Sequence, residues 1–245
     1  MNMLCRKPSR FVPGFIFIVL TLSLVLLAAG CAGKKASPDA SDGVATPTSP
    51  AAPTSPAAPT GPSTLQLAYG LNITMPADYK VASGTLSPQA ATKDSLDSRR
   101  KAGERILMLE AAGVPSPRGI EPMIALFLVN QEGTFMPREY AERIKPEELD
   151  AIGKELLAKE KAEAKKNKKT SSLLDLKISR ETIDGKVAIV QRMFVAGPDG
   201  QPARLSNWDI YLANGAGVAV KSVYDQDAPG TDMEIGNIVR SLRVQ

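Results

Sequence analysis

The sequence predicts an α+β fold: an antiparallel β-sheet, a meander in its C-terminal third, covered by a long central helix and a C-terminal helix. Three observations predict it. Between Leu174 and Tyr224, apolar and polar residues alternate in four segments separated by Asp184-Gly185, Asp199-Gly200 and Asn214-Gly215, short turns of the kind that join antiparallel neighbours. From Pro146, and again after Thr231, the apolar period becomes that of a helix. A sheet with an apolar face needs a cover, and two amphipathic helices supply it.

In chain order, Leu65 to Tyr69 and Leu71 to Met75 read as a short opening hairpin, the second strand placing Leu71, Ile73 and Met75 on one face before Pro76 ends it. Arg105 to Ala111 and Met123 to Asn130 are apolar runs of strand length, separated by a loop that Gly113, Pro115, Pro117 and Gly119 impose. Pro137 opens a short helix to Ile144. Pro146, Glu147 and Glu148 make a favourable first turn for the long helix, which lines up Leu149, Ile152, Leu156 and Leu157 before it fades into Lys159 to Lys169. In the meander, Val187 to Val195, Leu205 to Leu212 and Val218 to Tyr224 are the returning strands. Trp208 and Tyr211 fall on opposite faces of one strand, so one is expected in the core and the other on a binding surface. Thr231 is expected to cap the last helix, with Met233, Ile235, Ile238, Val239 and Leu242 on its apolar stripe.

Ahead of this domain, assigned to 64–245, stand two segments of different composition. Residues 1–30 carry Arg6, Lys7 and Arg10 without an acid, then an apolar stretch from Phe15 to Ala29 that ends in small residues, the layout of a secretory signal peptide. Leu27-Ala28-Ala29-Gly30-Cys31 resembles the lipobox of bacterial lipoproteins, which implies cleavage between Gly30 and Cys31, acylation of the Cys31 thiol with palmitate-type chains, and attachment to a membrane. Two or more chains, at about 0.8 kcal/mol per buried methylene, hold a protein stably. Lipoproteins most often have Leu where this chain has Ala28, and Ala32 replaces the Asp that retains enterobacterial lipoproteins in the inner membrane. The likeness therefore implies a periplasmic face and favours the outer membrane where two are present. The alternative is an uncleaved anchor counted from Phe11, which just reaches the roughly 20 residues of a span.

Residues 31–63 form a tether. Prolines 47, 50, 53, 56, 59 and 62 recur every third residue, the period of a polyproline II helix, and no large apolar side chain is available to offset ordering entropy. An extended or disordered spacer is expected, able to hold the domain several tens of ångströms from a bilayer at about 3.1 Å per residue.

The element order resembles that of the PsbP/DcrB-like family of small α/β proteins. Two motifs carry the likeness, Gly70-Leu71-Asn72-Ile73-Thr74-Met75-Pro76-Ala77-Asp78-Tyr79 at the start and Ile238-Val239-Arg240-Ser241-Leu242 at the end. Tyr79 stands where many relatives have Trp. The resemblance implies a binding, assembly or chaperone-like role with no shared catalytic residues, and no cofactor.

The residue inventory narrows the chemistry further. The chain has no histidine, which removes the usual general base and every Ser-His-Asp arrangement. Its two cysteines are Cys5, in the leader, and Cys31, so no disulfide is expected in the domain. Removing the leader's three basic residues from the chain's 30 leaves 27 against 26 acidic ones, and no basic field for nucleic acid remains. Ser98 and Lys101 match S-x-x-K, but the companion motifs of penicillin-recognising enzymes are missing. Asp225, Asp227, Asp232 and Glu234 are spaced like oxygen ligands, yet Pro229 and Gly236 stand where an EF-hand needs carboxylates. Asn72-Ile73-Thr74 fits the N-glycosylation triplet by chance. Lys165, Lys166, Lys168 and Lys169 form a basic run, a solvated helix end by default and a contact for anionic headgroups in the sharper reading. The sequence thus points to a lipid-anchored, non-enzymatic envelope protein whose domain binds a protein partner. The alternative is a ligand-binding or hydrolytic domain acting on wall or lipid material, with a site in the loop from Gly113 to Pro122.

Overall fold

The centre of the fold is a seven-stranded, wholly antiparallel sheet in the order β3-β4-β5-β9-β8-β7-β6. It is seen in a computed structural model that describes residues 61–167, 172–196 and 202–244. The leader, Cys31, the tether up to Thr60, Lys168, Lys169 and Asp199-Gly200 lie outside the described residues. The strands are β3 (Lys80–Val81), β4 (Ile106–Ala112), β5 (Met123–Asn130), β6 (Leu173–Ile183), β7 (Lys186–Ala196), β8 (Pro202–Tyr211) and β9 (Ala216–Asp225). A three-stranded sheet of β1 (Ser63–Leu67), β2 (Leu71–Met75) and β10 (Arg243–Val244) accompanies it, with β2 in the middle.

The meander is built as its turn residues dictate. Asp184 and Gly185 have φ of 50° and 71°, Asn214 and Gly215 have 58° and 70°, the doubly left-handed backbone of a two-residue hairpin turn. Tyr69 and Gly70 turn β1 into β2 in the same way, with φ of 65° and 70°, so the strand assigned to Leu65–Tyr69 stops at Leu67. In β4 a bulge at Met108 interrupts the register with β5. Met108 and Leu109 are therefore both fully buried where strict alternation would have exposed one.

Among the described residues there are four α-helices: α1 (Lys93–Lys101), α2 (Arg138–Ala141), α3 (Pro146–Lys166) and α4 (Thr231–Arg240). α1 is a helix that the hydrophobic pattern does not announce, because only Leu96 and Arg100 of its nine residues are buried. Its start is fixed by Thr92, whose hydroxyl accepts the Ser95 N–H at 3.2 Å, a cap worth about 1 kcal/mol. α3 begins with Pro146 at its first turn, the Glu148 carboxylate accepting the Lys145 N–H at 2.9 Å, and ends at Lys165 and Lys166, a charge order that matches the helix dipole. It lies so close to β6 that a Cβ on Gly153 would sit 3.2 Å from the Leu176 carbonyl oxygen. In α4 the cap is Gly230, at φ 84°, and Thr231 is the first helical residue rather than the cap. Met233, expected on the apolar stripe, is 68 % exposed, while Ile235, Ile238, Val239 and Leu242 are buried.

Around Trp208 and Tyr211 the large sheet is buried on both faces, which corrects the reading of these two residues. One face carries the main core, where Trp208, Ile210, Val218 and Val220 meet Leu71, Ile73 and Met75 of β2, Leu96 of α1 and Ile235, Ile238 and Val239 of α4. The other face carries two smaller clusters beneath α2 and α3, one with Ile178, Ile189 and Tyr211, the other with Leu173, Met193 and Val195. Trp208 and Tyr211 do point to opposite faces, but each is only 2 % exposed. A second layer of helices leaves neither aromatic ring at the surface.

Candidate functional site

The second face is unevenly covered. α3 lies against β6 and α2 against β7, whereas on β4, β5 and β9 this face carries the half-buried Leu107, Glu110, Met123, Phe127, Lys221 and Val223 among the buried Ala125, Val129 and Ala219. Antiparallel register brings them together, since Phe127 pairs with Leu107 and Ala219, Ala125 with Glu110 and Lys221, and Lys221 with Asn207. Successive strand residues point to opposite faces, so Asn207 and Asp209 of β8 share this face with Lys221.

Asp209 is the chemical centre of the group. It is 4 % exposed, and its Oδ2 accepts the Phe135 N–H at 2.9 Å from the loop ahead of α2. Burial penalises the carboxylate and pushes its pKa up to about 6, against the opposing pull of the Phe135 N–H, the Asn207 side chain, and the charges of Arg105 and Lys221. Lys221 is shifted the opposite way, down to about 8, first by burial and then by the Arg105 charge, with Asp209 acting against both. Burial likewise lowers Arg105, again opposed by Asp209. The Arg105 guanidinium carbon sits 5.4 Å from the centre of the Phe127 ring, a cation–π contact.

Hydrogen bonding in this cluster is incomplete. Among the described residues, Lys221 Nζ, Arg105 Nε and Asn207 Oδ1 are shielded from solvent without a hydrogen-bond partner, and neither cation has a carboxylate within ion-pair distance. Asn207 itself is 6 % exposed. Two cations face one buried acid, Asp209, and Glu110, half-buried on β4, is the second acid of this half-face.

The residues singled out from sequence are held in structural roles. Ser98 donates to the Asp94 carbonyl at 2.9 Å inside α1, Arg99 bridges to Glu104, and Arg100, 1 % exposed, donates to the Gly215 carbonyl at 2.8 Å and to Asp97, fastening α1 to the β8–β9 hairpin. Asp97 also accepts from the Tyr69 hydroxyl at 2.9 Å. The Gly113-to-Pro122 loop is pinned by Asp225, whose carboxylate accepts from Ser116 Oγ at 2.7 Å and from Arg118 Nε at 2.8 Å. Asp227 pairs with Arg118 at 3.1 Å, and Asp232 accepts from the Tyr224 hydroxyl. Burial and the neighbouring Asp78 charge raise the pKa of Glu234. Among the described residues no three His, Cys, Asp or Glu side chains are grouped to hold a metal. Lys165 and Lys166 are exposed at the end of α3. Sequence reasoning missed Arg105, Asn207, Asp209 and Lys221. Their one local signal is the polar pair Asn207 and Asp209 at alternate positions of β8, which reads equally well as a solvent face.

No known protein family matches the sequence, and no curated protein does. The fold is similar to several solved structures. LpqN, involved in cell envelope biogenesis of Mycobacterium tuberculosis, is 12% identical over 69% of this chain and 79% of that one, with a TM-score of 0.38. The cyanobacterial PsbP, CyanoP, of Synechocystis sp. PCC 6803 is 9% identical over 79% and 98%, with a TM-score of 0.43. PA94 of Pseudomonas aeruginosa, described as a protein of unknown function and putative regulator, is 12% identical over 76% and 98%, with a TM-score of 0.36. Each TM-score is below 0.5, and function is read here from this chain's own residues.

Proposed function

We propose that this chain is a lipid-anchored, extracytoplasmic envelope protein whose α+β head is a non-catalytic binding or assembly module for a protein partner. The observation that carries the reading is Cys31, directly after Leu27-Ala28-Ala29-Gly30 at the end of an apolar leader. Among the described residues no helix is long and apolar enough to cross a membrane. Ser98, the serine of the S-x-x-K match, donates inside α1, and Asp225, one of the spaced carboxylates, holds Ser116. Ala32 after the acylated cysteine favours outer-membrane delivery where two membranes exist. Lys165 and Lys166, with Lys168 and Lys169 beyond them in sequence, are a surface contact for anionic lipid headgroups or acidic wall polymer.

Metabolic labelling with a palmitate analogue tests the anchor. Label should enter the wild-type protein in the membrane fraction and be absent from Cys31→Ala, and an unlabelled, soluble wild-type protein would refute the proposal. In-cell crosslinking then tests the partner: a discrete crosslinked species should form with wild type and be lost with Cys31→Ala.

A further inference from the structure

The strongest unexplained feature of the domain is the pair of half-buried cations on the open half of the second sheet face. An ammonium shielded from water without a hydrogen-bond partner is costly unless something of opposite charge meets it. Lys221 is in that position, Arg105 beside it brings a second positive charge, and the one acid between them, Asp209, already accepts the Phe135 N–H and is pushed towards its neutral form by burial. Asn207 Oδ1, on a residue 6 % exposed, completes a polar floor with an unused acceptor. The surroundings on the same face are half-buried, with Leu107, Met123, Phe127 and Val223 apolar and Glu110 the one charged side chain among them.

We propose that this half-face is a binding site for an anionic amphiphile, whose carboxylate or phosphate head is held by Arg105 and Lys221 while its aliphatic part lies along Leu107, Met123, Phe127 and Val223. Arginine suits such a head because its fork of donors matches two oxygens at once. The bound anion gives Lys221 Nζ an acceptor and Arg105 a counter-charge. The site is independent of Cys31 and of the protein partner, so it stands or falls separately from the anchoring proposal.

The full chain in a nonionic detergent is the material for the test, and its single tryptophan, Trp208, buried in the main core, reports thermal unfolding. Hexanoate and hexyl phosphate should raise the unfolding midpoint in a saturable way, as ligands that bind only the folded state do. Hexanol, hexyltrimethylammonium and inorganic phosphate at the same concentrations should not. In Lys221→Met, and in Arg105→Gln as a second variant, the concentration for half the effect should rise at least tenfold, with the far-ultraviolet circular dichroism of the wild type retained. Dihexanoyl phosphatidylglycerol in parallel with hexanoate separates the two natural sources, the stronger of them naming a lipid headgroup or a free fatty acid. No shift with either anion, an equal shift with hexanol or inorganic phosphate, or unchanged shifts in both variants would overturn the proposal.

Discussion

Two aspartates on strand ends and middles of the same sheet face meet opposite fates. Asp225, at the end of β9, and Asp209, in β8, are 3 % and 4 % exposed. Asp225 is saturated: Ser116 Oγ and the Nε and Nη2 of one edge of the Arg118 guanidinium donate to it, and the Asp227 N–H adds a fourth bond at 2.9 Å. Asp209 has one backbone donor and help from Asn207, with its two nearest cations held beyond ion-pair distance among the described residues. Burial alone therefore does not decide what a carboxylate does. A buried acid with a full set of donors is a rivet for a loop, and one with donors missing is a poised group beside an unfilled half-face.

The sharpest way to break this comparison is to remove the partner of the saturated acid. Arg118→Ala leaves Asp225 buried without its counter-charge and should destabilise the domain by about 3 kcal/mol, read by urea unfolding. The same loop should become the first site of proteolysis. A loss under about 1 kcal/mol would mean that Asp225 finds other donors.

A comparable effect with the opposite logic is expected at Asp209. Its folded-state pKa of about 6 lies above the ordinary value of 3.8, so between those values the folded state binds more protons than the unfolded one. Stability contributed by this group is then full below about pH 4 and lost as pH rises through 6, a change of about 3 kcal/mol. Other carboxylates act the other way, Asp97 and Asp184 being lowered by Arg100 and Lys186 against the cost of their own partial burial. The measurable quantity is accordingly the difference between wild type and Asp209→Asn, which should vary with pH between 4 and 6 and be flat above 7.

Lys221 sharpens the comparison with a smaller effect. Its folded pKa of about 8 is below the ordinary 10.5, so stability should rise as pH climbs from 8 towards 10.5. Lys221→Met removes an unpartnered buried charge and should stabilise the domain at pH 7 by about 1 kcal/mol. A destabilisation of that size would mean that the ammonium has a partner in solution. At the low end, Met233→Gln on the exposed side of α4 should change stability by less than about 0.5 kcal/mol.

These contrasts also separate what the sequence could reveal from what it could not. The meander was legible because Asp184-Gly185 and Asn214-Gly215 impose left-handed backbone at fixed points between alternating segments. The long helix was legible from Pro146, Glu147 and Glu148 and its apolar spacing. α1 was hidden, because a helix that buries only Leu96 and Arg100 has no apolar stripe. β10 was hidden because two residues pairing with β2 carry no pattern. The rivet at Asp225 and the cluster at Asp209 were hidden for one reason: each joins residues about a hundred positions apart, Ser116 to Asp225 and Arg105 to Asp209, and only the register of β4, β5, β9 and β8 brings them together. Local spacing had pointed instead to Ser98 with Lys101 and to a carboxylate cluster after β9, where proximity in sequence is not convergence in space.

The most direct test of the account is a carbon-13 titration of the aspartate side chains by nuclear magnetic resonance, with Asp209→Asn as the assignment control. A carboxyl resonance that disappears in that variant and titrates near pH 6 is the expected result. An Asp209 resonance that titrates near 3.8 would contradict it, because donors would then offset the cost of its burial.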